Sequence, residues 1–160
     1  MRKKLIFLVL LLSFILVGCS PSQWKDSISK NETAAAKKVV KNYFKYYNNK
    51  DKEALLTTVS EKSHGANTIW GFNDLKNIKL VFIDENTDEY IYNDYFSSSS
   101  GSVNGISPEN VKIFNVKFNV QYKKDSIFNH LNGFHYNDFI LIRKDKNSSW
   151  VIDDFGPHGL

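Results

Sequence analysis

Between residues 36 and 59 the apolar positions recur every three or four residues. Ala36, Val40, Tyr43, Phe44 and Tyr47 form one stripe, which at 3.6 residues per turn is the buried side of an amphipathic helix. Ser29-Lys30-Asn31-Glu32 ahead of it has the Ser-x-x-Glu form of a capping box, so the helix is expected to begin there. Lys37, Lys38, Lys41 and Lys45 fall on the opposite side. Asn48-Asn49-Lys50 breaks the pattern, Asp51 is placed to cap a second helix, and Ala54, Leu55, Leu56 and Val59 form its buried side.

From Trp70 onward the period changes to two. Ile78, Leu80, Phe82 and Asp84 alternate with Lys79, Val81 and Ile83, which predicts a strand that is partly apolar on both faces. The aromatic segment Tyr90 to Phe96 is followed by Ser97-Ser98-Ser99-Ser100-Gly101-Ser102, read as a flexible hairpin loop. The clearest strand comes next: Phe114, Val116, Phe118, Val120 and Tyr122 on one face, and Asn115, Lys117, Asn119, Gln121 and Lys123 on the other. Strict alternation of this kind marks a half-buried antiparallel strand. Phe139 to Arg143 and Trp150 to Phe155 make a last hairpin around Asp145-Lys146-Asn147-Ser148. Helices followed by a run of antiparallel strands give an α+β fold, with N-terminal helices packed on a curved antiparallel sheet.

The first 18 residues obey neither period. A basic start at Arg2, Lys3 and Lys4 precedes an apolar run from Leu5 to Val17 broken only by Ser13. That run is short for a membrane helix and matches the apolar core of a secretory signal. It ends in Leu16-Val17-Gly18-Cys19, which resembles the bacterial lipobox, where a small residue precedes a cysteine that is acylated on sulfur and then becomes the mature N-terminus. The resemblance implies cleavage between Gly18 and Cys19 and a diacylglycerol on Cys19. Two acyl chains hold a membrane firmly where one does not. The expected organisation is therefore a signal at 1–18, a lipidated polar tether at 19–29, and one domain at 30–160. The expected location is the outer face of the cytoplasmic membrane.

Composition then adjusts the picture. At 160 residues with 42% apolar, 14% aromatic and 24% charged side chains, the chain is neither disordered nor polytopic and holds one domain of ordinary size. A single cysteine excludes an intramolecular disulfide. The net charge of +4 invites a polyanion partner, but removal of Arg2, Lys3 and Lys4 takes the basic residues from 21 to 18 against 17 acidic ones, about +1. The global-charge argument for nucleic acid goes with it. What remains is the local lysine side of the first helix, which suits anionic lipid or teichoic acid but is also what any exposed helix face presents.

The segment AAAKKVVKNYFKYYNNKDKEALLTTVS at 34–60, Trp70 with LKNIKL at 75–80, and WVIDDFG at 150–156 together resemble small Gram-positive lipoproteins with a nuclear-transport-factor-2-like (cystatin-like) fold, in particular domain of unknown function family 4829. The resemblance implies a cone-shaped half-barrel with a cavity. It implies no particular activity, because that fold hosts isomerases, dehydratases and pure binding modules alike.

Candidate chemistry is sparse. Asp153 and Asp154 are neighbours on the last predicted strand and should point to opposite faces. If Trp150 and Ile152 face the cone then Asp154 does; if Val151 and Phe155 face it then Asp153 does. Either carboxylate in an apolar pocket would make a general base, with Tyr122 or Tyr136 as hydrogen-bond donor; solvated strand-end carboxylates are the plainer reading. His130, His135 and Asp138 form the densest polar cluster, yet a spacing of five between the histidines fits neither strand nor helix ligation, and a loop before a strand is expected. His64 and His158 have no sequence partner. No nucleophile elbow, phosphate loop or dinucleotide fingerprint is present, so no cofactor and no metal is expected. Tyr90, Tyr92, Tyr95 and Phe96 are expected either to pack or to line the mouth of a site for a small apolar or aromatic ligand. The leading expectation is a non-catalytic, lipid-anchored binding or interaction module. An isomerase- or dehydratase-type enzyme and an envelope structural or immunity protein are the alternatives.

Overall fold

The computed structural model describes residues 21–157 apart from 66, 99 and 100, with side chains left aside at 21–28, 98 and 157. Helix α1 spans Pro21–Asn49. It starts eight residues ahead of the expected cap at Ser29, so most of the residues read as a tether are helical. Proline is tolerated in the first turn of a helix, where its missing N–H is not needed, and nothing from 22 to 35 is a glycine or a second proline. Glu32, freed from capping, accepts a 3.0 Å bond from Arg143 Nη2. The stripe Ala36, Val40, Tyr43, Phe44 and Tyr47 is buried as its spacing predicts. Lys38, Lys41 and Lys45 are exposed, whereas Lys37 leans to the sheet and pairs with Asp84 at 3.2 Å. Helix α2 (Lys52–Leu56) is capped by Asp51, whose Oδ1 accepts from Ala54 N at 3.0 Å.

Four strands follow: β1 (Leu75–Asn86), β2 (Val111–Tyr122), β3 (Gly133–Ile142) and β4 (Val151–Pro157), antiparallel and in sequence order. Helix α1 covers one face, burying Phe114, Val116, Val120, Tyr122, Phe139, Leu141 and Ile152 against its stripe. The Thr58–Ser60 segment pairs with the outer edge of β4: Ile152 N donates to Thr58 O and Ser60 N to Ile152 O, both at 2.8 Å. An edge that would otherwise present unpaired backbone groups is thereby partly covered.

The sheet has three one-residue irregularities: one at the start of β1, between Leu75 and Asn77, which lets Leu75 and Ile78 share the α1 face, and two further in. In β1 the register with β2 slips between Leu80 and Phe82. Ile78 and Leu80 pack toward α1 before the slip and Ile83 after it, while Val81 and Phe82 are exposed. A bulge of this kind shifts the phase of alternation by one residue, which is why the strand reads as apolar on both faces and why Phe82 and Asp84 do not share a face with Ile78 and Leu80. The last slip, between Ile140 and Leu141 of β3, leaves Asp153 as the extra residue of β4.

The segment read as an aromatic run and a hairpin loop is instead a pair of helices, α3 (Glu89–Ser98) and α4 (Gly101–Asn104). They pack on the sheet face opposite α1, where Tyr95 joins Val111 and Ile113, with Ile91, Tyr92, Phe96, Ile106, Ile140 and Ile142 against them. Tyr92, Tyr95 and Phe96 belong to this second core, while Tyr90 is exposed. Gly101 of α4 packs directly on Tyr95 of α3. A Cβ at 101 would stand 2.6 and 2.7 Å from ring carbons of Tyr95. Among the described residues no helix is long and apolar enough to cross a membrane.

Candidate functional site

Between the C-terminal half of α1 and the sheet lies a cavity of about 240 Å³. Tyr43, Phe44 and Tyr47 of α1 form its roof, Ile78 of β1 with Phe118, Val120 and Tyr122 of β2 its floor, and Leu131, His135, Phe139 and Phe155 the remaining wall. The helical stripe and the period-two strand that make the core thus also make the site. Tyr43 lies edge-on to Phe44 and Phe139, and Phe139 stacks on Phe155 at 5.3 Å between ring centroids. Tyr47 donates to Trp70 O at 2.5 Å and packs edge-on against Phe72. His135 stacks on Phe118, and its Nε2 is 2.7 Å from Leu131 O, which makes that nitrogen the N–H.

The electrostatics are those of an apolar site. Burial pushes the phenols of Tyr43 and Tyr47 well above their ordinary range, and the neighbouring Tyr122 phenol adds to both shifts. Both are neutral donors at any physiological pH, unsuited to abstracting a proton. Among the described residues no carboxylate lines the cavity.

The candidate carboxylates lie elsewhere. Trp150 and Ile152 do face α1, but the bulge sends Asp153, and not Asp154 alone, to the α3 face. Asp153 is buried, accepts a 2.8 Å bond from Tyr95 OH, and shares Lys62 Nζ (3.3 Å) with Asp154 (3.6 Å). Adjacent carboxylates on a regular strand diverge; here the extra residue lets one ammonium reach both. Asn104 Nδ2 in turn donates to Tyr95 OH at 2.7 Å. This chain of bonds ties α3, α4 and the Glu61–His64 turn to β4; the groove of about 440 Å³ that passes the same turn is lined by Glu61, His64, Ile106, Ile142 and Val151, with neither Asp153 nor Tyr95 in its wall. Tyr122 faces α1, on the other side of the sheet. Tyr136 is exposed on the α3 side and four residues along β3 from Ile140, the partner of Asp154, a separation of roughly 13 Å at strand rise. The structure therefore brings neither aspartate to either tyrosine.

The histidine cluster is dispersed as well. His130 sits in the Asn129–Leu131 turn with Nδ1 2.8 Å from Ile127 O, His135 faces the cavity, and Asp138 is buried on the opposite face beside Asn86. His135 and Asp138 lie within β3, not in a loop before it. His64 contacts the carbonyls of Leu56 and Val59. Among the described residues no group of three His, Cys, Asp or Glu side chains is placed to hold a metal. Gly18, Cys19 and His158 lie outside the described residues.

A more polar groove runs past the β3–β4 hairpin, lined by Glu32, Arg143, Lys146, Ser148 and Trp150 among others. Its buried cation is already engaged: Arg143 donates to Asn110 Oδ1 at 2.9 Å and to Glu32 and stacks on Trp150 at 4.6 Å. The groove is a structural tie between α1 and the hairpin. The aromatic cavity is the candidate site: spacing marks Tyr43, Phe44, Tyr47, Phe118, Val120 and Tyr122 as buried positions, whereas His135, expected in a loop, is found in the wall.

The family described as "Domain of unknown function (DUF4829)" matches residues 37–156, which include the roof of the cavity and all of β4 but its last residue. The chain belongs to that family. No curated protein and no solved structure matches it.

Proposed function

We propose that the protein is a non-catalytic binding module, anchored through a diacylglycerol on Cys19 to the outer face of the cytoplasmic membrane, which holds a small apolar or aromatic ligand between α1 and the sheet. The observation that carries the ligand reading is the aromatic cavity, apolar on nearly all sides and free of carboxylates among the described residues; apolar walls with a few polar groups are the usual make-up of small-molecule sites. The placement of one long helix across a four-stranded antiparallel sheet with a cavity between them supports a nuclear-transport-factor-2-like cone. The basic start, the apolar run and Gly18-Cys19 support the anchor. An anchor there leaves only Ser20 before α1, so the domain would stand on a helical stalk in place of a flexible tether. The enzyme reading needs an aspartate beside Tyr122 or Tyr136, an arrangement the fold does not make.

Two measurements test the reading. Native mass spectrometry of the full chain extracted from its own envelope should show a retained small-molecule mass, lost on filling the cavity with Val120→Trp. A protein that carries no such mass and binds no apolar probe sinks the ligand reading. Fatty-acid labelling should mark the wild type and not Cys19→Ala; an unlabelled wild type sinks the anchor.

A further inference from the structure

We infer that the cavity selects a neutral one- or two-ring ligand bearing a hydrogen-bond-accepting oxygen, and that Tyr43 is the specificity-determining residue that receives it. The inference rests on the cavity being a ligand site, as proposed above. Tyr43 is only 5% exposed, and its ring contacts Phe44, Tyr47, Phe139 and Phe155. A phenylalanine would make the same contacts.

The hydroxyl is the part that packing does not explain. The other buried phenols are engaged: Tyr47 donates to Trp70 O and is hydrogen-bonded with Tyr122, Tyr95 donates to Asp153, and Tyr92 accepts from Ile113 N. Among the described residues Tyr43 OH has no such partner. Nor is it sealed, because Ser60 Oγ is the one fully enclosed, unpartnered side-chain oxygen among the described residues. Tyr43 lines the cavity, and that is where we place the open side of its hydroxyl. An unpaired buried hydroxyl costs stability that phenylalanine would not. Retained in a mostly apolar wall, where Tyr47 and Tyr122 bond with each other and His135 Nε2 faces Leu131 O, it is the kind of polar group that fixes a ligand's orientation.

Chemistry narrows the ligand. Tyr43 stays protonated because burial opposes the phenolate, so the complementary group accepts a hydrogen bond. Among the described residues no lining side chain is a carboxylate, so a cationic ligand would lose its hydration with no counter-ion; the one ionisable base in the wall, His135, has its Nε2 engaged by Leu131 O and its ring stacked on Phe118, which leaves the site best suited to a neutral ligand. The volume of about 240 Å³ lies below the roughly 300–1,000 Å³ of drug-sized sites, which limits the skeleton to one or two rings. A carbonyl, ether or hydroxyl oxygen on such a skeleton fits.

The test uses indane and 1-indanone, bicyclic probes of nearly the same shape that differ by a carbonyl oxygen. Each is titrated into the full-length protein in detergent, and binding is read from the methyl resonances of Ile78, Val120 and Leu131, which report the cavity and not the micelle. Both probes should bind, with indanone roughly tenfold tighter, the factor one hydrogen bond supplies. Tyr43→Phe should keep the indane affinity and reduce the preference to about twofold or less. Equal binding of the probes by the wild type, or a preference that survives in Tyr43→Phe, overturns the role of Tyr43 and leaves the cavity as a ligand site. If neither probe moves these resonances, the cavity reading falls and the role of Tyr43 with it.

Discussion

Tyr95 and Asp153 are 58 positions apart and meet in a 2.8 Å hydrogen bond that joins α3 to the bulge of β4. Asp153 is buried, so its carboxylate needs every donor that reaches it. Tyr95→Phe removes the phenolic donor and also strands Asn104 Nδ2, which donates to the same hydroxyl. The expected loss is about 1–3 kcal/mol, measured by urea unfolding. A variant as stable as the wild type would show that Lys62 alone satisfies the carboxylate.

Gly101 and Tyr95 make the same joint sterically. A Cβ at 101 would also fall 2.8 Å from the Tyr95 carbonyl oxygen, and backbone cannot step aside as the end of a side chain can. Gly101→Ala should cost about 1–3 kcal/mol. Gly156→Ala, where nothing lies within 4 Å of the new methyl, should change stability by less than about 0.5 kcal/mol. Equal effects of the two substitutions would remove the steric account of α4.

What the sequence made legible is what depends on local period. The α1 stripe, the Asp51 cap, the alternation of β2 and the final hairpin follow from spacing within one segment. What stayed hidden depends on a partner. No slip leaves a mark in its own strand: Val81 and Asp153 become extra residues only against β2 and β3. Helices α3 and α4 carry no clear period of their own, and α3 is held by Tyr95 settling on Val111 and Ile113. The cavity was half legible, since Tyr43, Phe44 and Tyr47 mark the buried side of α1, but whether that side closes on the sheet is a matter of shape that periodicity does not carry.

The β1 slip at Val81 also sets which residues stabilise the strand. Ile83 packs toward α1, while Phe82, the larger residue, stands exposed beside Lys117 of β2. Ile83→Thr should therefore destabilise by about 1–3 kcal/mol, and Phe82→Thr by less than about 0.5 kcal/mol. Regular alternation from Ile78 predicts the reverse order, so urea midpoints of the two variants decide between a bulged and an unbroken strand.

Alkaline pH should expose the buried phenols. Tyr43, Tyr47, Tyr92 and Tyr95 all have pKa values raised in the folded state, with burial the largest cause for each and the Asp153 bond adding at Tyr95. In the unfolded chain a phenol titrates near about 10. Below that pH both states hold the proton and the full stability is present. Above it the unfolded state releases protons that the folded state keeps, so stability falls as pH rises, by roughly 1.4 kcal/mol per pH unit for each such group. Urea midpoints should stay level from about pH 7 to 9 and drop steeply from about pH 10. Tyr43→Phe and Tyr47→Phe should each flatten that drop, because each removes one phenol that only the unfolded chain can ionise. A slope unchanged in both variants would mean that these hydroxyls ionise with the fold intact, and that the cavity is open to solvent along its whole depth.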